Sequence, residues 1–439
     1  MPALPALPRN DDEDDPAGGT VRRIALLSVL AAALPVLYLP GLVHNFFDLK
    51  IYMSAMDWWN SGQHLYDYAQ SDPVQGTLYF TYPPLTALLL RPFGLLPLWA
   101  TIALFSALSV VAVVVTTRWL VLPLIRRHRL DRWFTLTVAT LLVLALESTR
   151  ETITFGQINM LLVVLILADL LFAVPGRRRW AGVGVGLATA LKLFPGIFIV
   201  YLLVARRWRA AIVASATAAV ATLVAAAFAP QASWRFWTHE LWATDRVGRL
   251  DYTGNQSLQG MLSRLAVPQE PAALLWPALA ALVVAYGMWR AGRAARARDW
   301  TAGLALAGLV GALISPITWT HHVYWFVPAL VVLVDAGLRA RATPGRSRRG
   351  AWLLAFAAGI YLPITYGVVS FQKWGVAPEP TDSPGEFLVR NMYVLLALLL
   401  LVVLPIRPAD REPQPEPEPP ASPEVAPNGQ TSPDRLQSR

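Results

Sequence analysis

Asp48 is the first residue of the sequence whose type and setting suit bond-making chemistry. It lies in Asn45-Phe-Phe-Asp48, directly after an apolar stretch of membrane length and among aromatic residues. A carboxylate in apolar surroundings has a raised pKa and can take a proton from a hydroxyl group, which is otherwise a weak nucleophile. The same pattern is also typical of a helix-capping or solvated aspartate. Asp48 is therefore a candidate general base, and one carboxylate alone leaves both interpretations open.

Lys192 and a pair of histidines are candidates for holding an anion. Lys192 is a lone cation between two apolar stretches, where a phosphate would stabilise it. The alternative is a lysine that extends its ammonium group to the membrane interface. His321 and His322 begin another apolar stretch, and adjacent histidines point in different directions on a helix, so a two-histidine metal site is not expected. One of them can donate a hydrogen bond to a phosphate while the other packs, and packing of both is the alternative.

The composition is typical of a protein with many membrane spans. Of the 439 residues, 55% are hydrophobic and only 15% are charged, whereas soluble chains carry about 25% charged residues. The net charge is +9, and the arginines lie in short loops between apolar runs. This distribution indicates membrane topology rather than nucleic-acid binding. We therefore expect an all-α polytopic membrane protein.

Twelve apolar stretches are candidate spans, and one further segment is broken. Residues 82–95 contain Pro83, Pro84 and Pro92 and are predicted to form a re-entrant or interfacial piece. The spans are predicted at about residues 24–42, 96–117, 133–147, 157–174, 180–191, 194–205, 209–229, 272–290, 301–315, 323–338, 351–371 and 388–405. Strand periodicity of useful length is not evident.

The basic residues determine the predicted sidedness. With a cytoplasmic N terminus and alternating spans, every dense arginine cluster falls inside, as the positive-inside rule requires. Both termini are then cytoplasmic, with disordered tails predicted at residues 1–23 and 406–439 around a membrane domain at 24–405. The segment 42–95, which carries Asp48, becomes the first extracytoplasmic loop.

With this topology, the unusual polar residues gather on the outer side. Several adjoin or enter apolar spans, where polar groups are costly and usually face a cavity. They are Asp48, Lys50, Tyr79, Thr81, Tyr82, Glu147, Arg150, Glu151, Gln157, Asn159, Lys192, Asp245, Arg246, Asp251, Asn255, Gln256, Thr318, Trp319, His321 and His322. Loop charge alone determined the sidedness, so this convergence is independent evidence for a site. The outer segments have no Asp-x-Asp pair and the chain has no cysteine, so no metal or other cofactor is expected.

Several motifs, taken in order, resemble glycosyltransferase family 87 of actinobacteria. The resemblance runs from about residue 24 to 405, and it is most similar to the members that use polyprenyl-phosphate-mannose to add α-1,2-linked mannose to phosphatidylinositol mannosides. The motifs are Asn45-Phe-Phe-Asp-Leu-Lys-Ile-Tyr52, Phe80-Thr-Tyr-Pro-Pro84, Phe155-Gly-Gln-Ile-Asn159, Leu191-Lys-Leu-Phe-Pro195, Asp245-Arg-Val-Gly248, Asn255-Gln-Ser257, Ser263-Arg-Leu265 and Ser315-Pro-Ile-Thr-Trp-Thr-His-His322. Single motifs are weak, whereas the ordered set is specific.

The resemblance implies a GT-C fold with about twelve transmembrane helices in a bacterial, actinobacterial plasma membrane. It places Asp48 at the position of the catalytic acidic residue and implies a lipid-phosphate sugar donor, a glycolipid acceptor and no metal. The residues expected to contact the donor phosphate or sugar are Lys192, His322, His321, Asn159, Gln157 and Tyr82. Those expected to contact the acceptor or to hold a loop are Asn255, Gln256, Arg246 and Trp319.

Three other functions remain open from the sequence. A related enzyme could use polyprenyl-phosphate-arabinofuranose, which only a panel of donors can separate. A transporter or flippase for a lipid-linked sugar predicts polar groups along the spans and internal repeats, and neither is evident. A scaffold without chemistry predicts that no transfer depends on Asp48 or His322.

Overall fold

The structure is a computed structural model that describes residues 16–73, 76–243, 246, 248–368 and 380–407. Its α-helices are α1 Pro16–Tyr38, α2 Phe47–Asn60, α3 Pro84–Leu90, α4 Leu98–His128, α5 Arg132–Ala145, α6 Glu147–Thr154, α7 Asn159–Ala168, α8 Val183–Leu191, α9 Ile197–Val204, α10 Trp208–Phe228, α11 Pro230–Thr238, α12 Leu258–Ala266, α13 Leu275–Arg296, α14 Trp300–Ile314, α15 Phe326–Arg341, α16 Ser347–Tyr366, α17 Pro384–Arg390 and α18 Met392–Val403. Short 3-10 helices lie at Leu39–His44, Leu65–Asp67, Arg91–Leu95, Phe194–Gly196, Glu240–Trp242 and Thr320–His322, and a π-helix at Asp169–Ala173.

Every one of the twelve apolar stretches contains a helix, although the bounds differ from the prediction. α1 begins at Pro16, before the predicted start at Ile24, and α4 continues to His128, past the predicted end at residue 117. The last turn of α4 contains Arg126, Arg127 and His128, and basic side chains stabilise the negative end of the helix dipole. The helix therefore continues past the point at which the sequence stops being apolar. Among the described helices, three are long and apolar enough to cross a membrane, or four if the bent pair α17 and α18 forms one span.

A β-hairpin corrects the prediction that the chain is all-α. Strands β1 Ala69–Asp72 and β2 Gly76–Tyr79 pair in antiparallel register, with Ala69 opposite Tyr79. Each strand has only four residues, which is too short for the period-2 pattern to stand out from its surroundings. The hairpin lies between α2 and α3, in the predicted outer loop.

The broken segment at 82–95 folds as a short helix rather than a full span. α3 continues into the 3-10 helix Arg91–Leu95, which begins at a Pro-containing turn. α3 packs against α10, and the 3-10 helix packs against α2. The whole apolar piece is shorter than the helices that could cross a membrane.

The hydrophobic core has two parts. The larger one surrounds α14, whose residues from Ala302 to Leu313 are all buried, as expected for a helix that is apolar on every side. The smaller one lies under the first loop, where Leu49 and Tyr52 of α2 pack with Tyr66, Phe80 and Phe236. This second cluster fixes α2, and therefore Asp48, against the membrane helices.

Basic loops that were predicted to be cytoplasmic meet around one buried carboxylate. Asp335 on α15 is 2.9 Å from Arg127 at the end of α4 and 2.9 Å from Arg407 after α18. Arg407 also forms an ion pair with Asp299, which caps α14. The ends of α4 and α15 and the start of α14 therefore share one face, as the predicted alternation of loops requires.

Candidate active site

The candidate site is a cavity of about 510 Å³ whose walls come from distant parts of the chain. Asp48 of α2, Gln157 before α7 and Tyr82 before α3 line it together with Lys192 and His322. These are residues that the sequence placed on one side of the membrane, and the fold brings them together. The volume is within the usual range for a small-molecule site.

A chain of side-chain hydrogen bonds runs from Asp48 toward the cation. The amide nitrogen of Gln157 donates to Asp48 Oδ2 at 2.6 Å, and the hydroxyl of Tyr82 donates to Gln157 Oε1 at 3.0 Å. Tyr82 Oη in turn accepts from Lys192 Nζ at 3.1 Å. Asp48 and Lys192 are thus held at opposite ends of two intervening side chains, which keeps the carboxylate and the ammonium group from forming an ion pair.

Lys192 lies at the centre of a second group of polar contacts. Its Nζ donates to Asn159 Oδ1 at 2.9 Å and lies 3.0 Å from Nε2 of His322. Asn159 also donates from its Nδ2 to the backbone oxygen of His321 at 3.2 Å. This bond joins the start of α7 to the 3-10 helix Thr320–His322. All of the residues predicted to bind the donor are therefore at this site.

The hydrogen of the neutral His322 ring is placed to bind an anion. The backbone N–H of Trp319 donates to His322 Nδ1 at 3.1 Å, so the hydrogen of the neutral ring lies on Nε2, which faces Lys192. Two N–H groups that face each other do not form a hydrogen bond when the lysine is an ammonium ion. An anionic oxygen beside the pair, within reach of both nitrogens, would accept a hydrogen bond from each. The pair therefore has the donors of a phosphate site.

The charges of this group depend on burial. Burial lowers the pKa of Lys192 to about 7, while the charge of Asp48 opposes this effect. Burial, with Lys192 and His321 next in effect, holds the pKa of His322 well below its ordinary value. A bound phosphate would favour the ammonium form of Lys192.

Asp48 has the acidity expected of a general base. Burial raises its pKa from 3.8 to about 6, against the opposing effects of the Gln157 hydrogen bond and the charge of Lys192. At neutral pH the carboxylate is thus ionised, yet it is basic enough to accept a proton from a reacting hydroxyl. The helix-capping alternative is not what the structure shows, because the side chain of Asp48 faces the cavity and its contact is with Gln157.

The backbone before Asp48 is held in an uncommon conformation. Asn45 and Phe46 both have left-handed φ angles, 46° and 54°, which is costly for residues with a side chain. Phe46 N donates to Thr154 O at 2.9 Å, and Leu49 N donates to Phe155 O at 3.0 Å. These bonds join the start of α2 to the link between α6 and α7. The link therefore determines where Asp48 points.

Gly156 permits the close approach of these two segments. Its φ is +72°, and a Cβ atom there would lie 2.6 Å from Cβ of Leu49, one residue after Asp48. A side chain at residue 156 would thus be strained and would press on the first turn of α2. This gives a physical reason for the glycine of the motif Phe155-Gly-Gln-Ile-Asn159.

We expect Gly156→Ala to lower the turnover rate by about 10- to 100-fold, because a shift of about 1 Å in a reacting group has an effect of this size. The variant should still fold, since the strain is local. The control is Gly62→Ala, at a φ of +90° with no atom within 4 Å of the added Cβ. It introduces the same kind of backbone strain without displacing α2, so its turnover should stay near normal. Equal losses in both variants would show that Gly156 does not position Asp48.

Asn255 and Gln256 do not line the cavity, which excludes direct contact with a substrate there. Asn255 Nδ2 donates to the oxygens of Leu250 and Pro316, and its Oδ1 accepts from Thr318 N. Gln256 joins the same loop to α17 and α18 by donating to Arg390 O and accepting from Tyr393 N. Of the two roles predicted for this pair, acceptor contact or loop, the geometry is that of the loop.

Arg246 and Trp319 do line the cavity. The guanidinium of Arg246 lies 3.9 Å from the ring centroid of Tyr79 on β2 and 2.8 Å from Glu240. The neighbouring Asp245, which was also noted in the sequence, lies outside the described residues. Arg246 therefore joins the end of β2 to the 3-10 helix Glu240–Trp242 in the wall of the cavity.

Some cavity residues were missed or left without a role by sequence reasoning. The hydroxyl of Tyr52 lies 2.9 Å from the hydroxyl of Tyr82, and Glu240 lines the cavity. Glu151 was noted as an unusual polar residue but was given no task. Tyr52 was named only as the last residue of the motif that contains Asp48, because its partner Tyr82 lies 30 residues away in the sequence. No local pattern distinguishes Glu240 from an ordinary loop glutamate.

Comparison with known proteins identifies the family of this chain. Residues 80–316 match the model of glycosyltransferase family 87. A polyprenol-phosphate-mannose-dependent alpha-(1-2)-phosphatidylinositol mannoside mannosyltransferase of Mycobacterium tuberculosis is 34% identical over 67% of this chain and 71% of its own length. A protein of Mycolicibacterium smegmatis with the same description is 33% identical over 87% of this chain and 89% of its own.

A solved structure also matches, at a lower level. The crystal structure of ArnT from Cupriavidus metallidurans bound to undecaprenyl phosphate is 17% identical and covers 87% of this chain and 78% of its own, with a TM-score of 0.34. That value is too low to support a conclusion about the fold. The sequence matches are sufficient without it: this chain belongs to glycosyltransferase family 87.

Proposed function

We propose that this enzyme transfers a mannosyl residue from polyprenyl-phosphate-mannose to a glycolipid acceptor of the phosphatidylinositol mannoside type, with inversion at the anomeric carbon. The observation that carries this proposal is a single cavity lined by both Asp48 and the Lys192–His322 pair. A base and an anion site are the two things that the reaction needs. The descriptions of both mycobacterial relatives name the same donor.

The reaction begins when Asp48 takes the proton of an acceptor hydroxyl. The hydroxyl oxygen attacks C1 of the mannose while the bond from C1 to the phosphate oxygen breaks, through an oxocarbenium-like transition state. Polyprenyl phosphate leaves with the electron pair of that bond. The new negative charge develops beside Lys192 and His322, whose nitrogens lie 3.0 Å apart and can both donate to the same phosphate. A phosphate leaves in its ionised form, so the step needs neither a general acid nor a metal ion.

The donor lipid reaches the cavity from the side. Val43 and Phe47, near the start of α2, line the cavity together with Leu193 and Phe194 beside the phosphate site. Val43 and Leu193 are exposed on the surface. An apolar path that ends at Lys192 suits a long hydrocarbon chain attached to a phosphate. We therefore assign the breaks near residues 82–95 and 190–195 to the lipid entrance.

The acceptor approaches from the opposite, outer wall. Arg246 and Trp319 line this wall, and both carry N–H donors as well as flat surfaces that suit sugars and phosphate groups. The acceptor hydroxyl must reach Asp48, which is accessible from this wall through the cavity. Asn255 and Gln256 contribute by holding the loop that carries this wall.

The wider architecture follows from the same proposal. We assign a GT-C fold with about twelve spans over residues 24–405, disordered cytoplasmic tails at either end, and the cavity on the outer face of an actinobacterial plasma membrane. The clustering of Arg127, Arg407 and Asp335 on a separate face supports this orientation.

The test is transfer by the purified protein in detergent or liposomes. Labelled polyprenyl-phosphate-mannose and a phosphatidylinositol mannoside should yield a mannosylated lipid, with an unchanged rate in the presence of a metal chelator. The donor panel also contains polyprenyl-phosphate-arabinofuranose and a nucleotide-linked mannose, and both should be poor donors. Transfer of arabinose without transfer of mannose would replace the proposed donor, and movement of the donor across a liposome without transfer would indicate a flippase.

A further inference from the structure

A second cavity lies where α9, α10 and α13 meet, at the end of α9 that is farther from Lys192 in the chain. It is a groove of about 640 Å³, and none of its described lining residues also lines the candidate active site. Three of them, Leu203, Trp208 and Trp289, are 39%, 59% and 51% exposed. The groove is therefore open to the surface of the protein and separate from the candidate active site.

One face of α13 leads along the protein surface to this groove. Leu282, Tyr286 and Trp289 are exposed on it at the spacing of a helix face, and Arg293 and Arg296 continue the same face in the last turn. An exposed apolar row that ends in an aromatic ring and then in arginine is typical of a helix at the interface between hydrocarbon and headgroups. The groove therefore lies at the depth of the lipid headgroups.

The arginines near the groove differ in the contacts that their side chains make. Arg290 donates to backbone oxygens at the end of α18, and the guanidinium of Arg293 lies 5.0 Å from the ring centroid of Trp289. Arg206 and Arg296 line the groove and are exposed, and their side chains have no hydrogen-bond or ion-pair partner among the residues that the structure describes. Two guanidinium groups of one groove are thus available to a ligand.

Gly292 keeps the floor of the groove open beside Arg296. A Cβ atom there would lie 3.1 Å from the backbone oxygen of Val204 and 3.4 Å from Nη1 of Arg296. Even the smallest side chain would therefore press against the end of α9 and occupy the space next to the guanidinium. The glycine leaves that space to a ligand.

The surroundings of the groove carry an excess of positive charge. Burial, with the charge of Arg177 next in effect, lowers the pKa of Arg207, which follows Arg206 in the chain. Asp299, the acidic residue that caps α14, already forms an ion pair with Arg407. Such a field stabilises an anion and repels the ammonium group of a zwitterionic headgroup. The ligand that fits therefore has a net negative charge.

We propose that this groove binds an anionic phospholipid from the membrane leaflet that borders the basic loops. Arg206 and Arg296 hold the phosphate, and an acyl chain lies against Leu203 and Trp289. The forked donors of arginine match the oxygens of a phosphate, and basic pockets between transmembrane helices are recurrent sites for anionic headgroups. The site does not depend on the identity of the sugar donor.

The experiment is native mass spectrometry of the purified full-length protein in detergent, titrated with phosphatidylglycerol or with phosphatidylcholine. The wild type should bind phosphatidylglycerol about 10-fold more tightly, and the double variant Arg206→Gln/Arg296→Gln should lose this preference, since a charged hydrogen bond has an effect of about this size. Its binding of phosphatidylcholine should stay unchanged. Lipid bound in the candidate active site is not affected by these substitutions, so the difference between the proteins measures the groove.

The double variant Arg346→Gln/Arg348→Gln is the matched control. It removes the same charge from another exposed basic segment, at the start of α16 and outside the groove, so it should bind phosphatidylglycerol as the wild type does. Equal losses in the two double variants would show a general attraction to basic loops and overturn the site, as would equal binding of both lipids by the wild type. Displacement of phosphatidylglycerol by soluble glycerol 3-phosphate would assign the groove to a free phosphate compound instead. If the groove variant aggregates, Arg296→Gln is compared with Arg346→Gln by the same criteria.

Discussion

Replacing Asp48 by asparagine is expected to lower the rate of mannosyl transfer by about 1000-fold. Asparagine keeps the size of the side chain but cannot accept the proton of the acceptor hydroxyl, and general base catalysis contributes about 10²–10⁴-fold. The KM for the donor should change little, because the donor phosphate binds at Lys192 and His322. The measurement is steady-state transfer from labelled polyprenyl-phosphate-mannose by purified protein.

Asp57→Asn is the matched control, since Asp57 is an exposed aspartate on the same helix α2 and does not line the cavity. Its rate should equal that of the wild type. The acidity of Asp48 adds a second measurement. Because its pKa is raised to about 6, the residue is protonated and inactive below that pH, so kcat/KM of the wild type should fall about 10-fold per pH unit there. Near-normal transfer by Asp48→Asn would remove Asp48 from the role of base.

Replacing Lys192 by methionine is expected to lower kcat/KM by about 100- to 1000-fold, the usual effect of removing one donor to a charge that develops in the transition state. Methionine fills a similar volume without the ammonium group. kcat should fall and the KM for the donor should rise, because the ammonium group contacts the phosphate before and during bond breaking. Lys50→Met, at a position of α2 that does not line the cavity, is the control and should retain its activity.

The pH profile separates the charge of Lys192 from its shape. Its pKa of about 7 in the free enzyme means that the ammonium is lost above that pH, so kcat/KM should fall on the alkaline side. The profile of kcat should fall only at higher pH, because bound phosphate raises the pKa of the lysine. Lys192→Arg cannot lose its charge in this range and should lack the alkaline fall. A fall that persists in the arginine variant would assign it to another group.

Much of the candidate site could be predicted because polar residues are conspicuous in a mostly apolar sequence. Asp48, Lys192 and His322 stand out since each adjoins an apolar stretch in which a polar group is costly. The arginines in the loops predict which side of the membrane each loop lies on. That assignment places these residues on the same side, so we expect them to meet. The twelve helical stretches follow from the same hydrophobic pattern, although their ends do not, as α4 shows by continuing through its basic last turn.

The pairings inside the cavity could not be predicted from the sequence. Tyr82 and Gln157 are 75 residues apart, and Lys192 and His322 are 130 apart. Such contacts depend on how helices pack, and no local propensity encodes them. For the same reason Asn255 and Gln256 could not be told from substrate contacts until their amide groups were found to join loops, and the four-residue strands of the hairpin escaped detection.

The amino-acid order alone predicts that the chain spans a membrane and that a carboxylate, a cation and histidines lie on one side of it, because hydrophobicity and loop charge act locally. Only the tertiary structure decided that Gln157 and Tyr82 separate Asp48 from Lys192, and that Asn159 and His322 both lie against the ammonium group of Lys192. Those features depend on directions of side chains in space, which are determined when distant helices pack together.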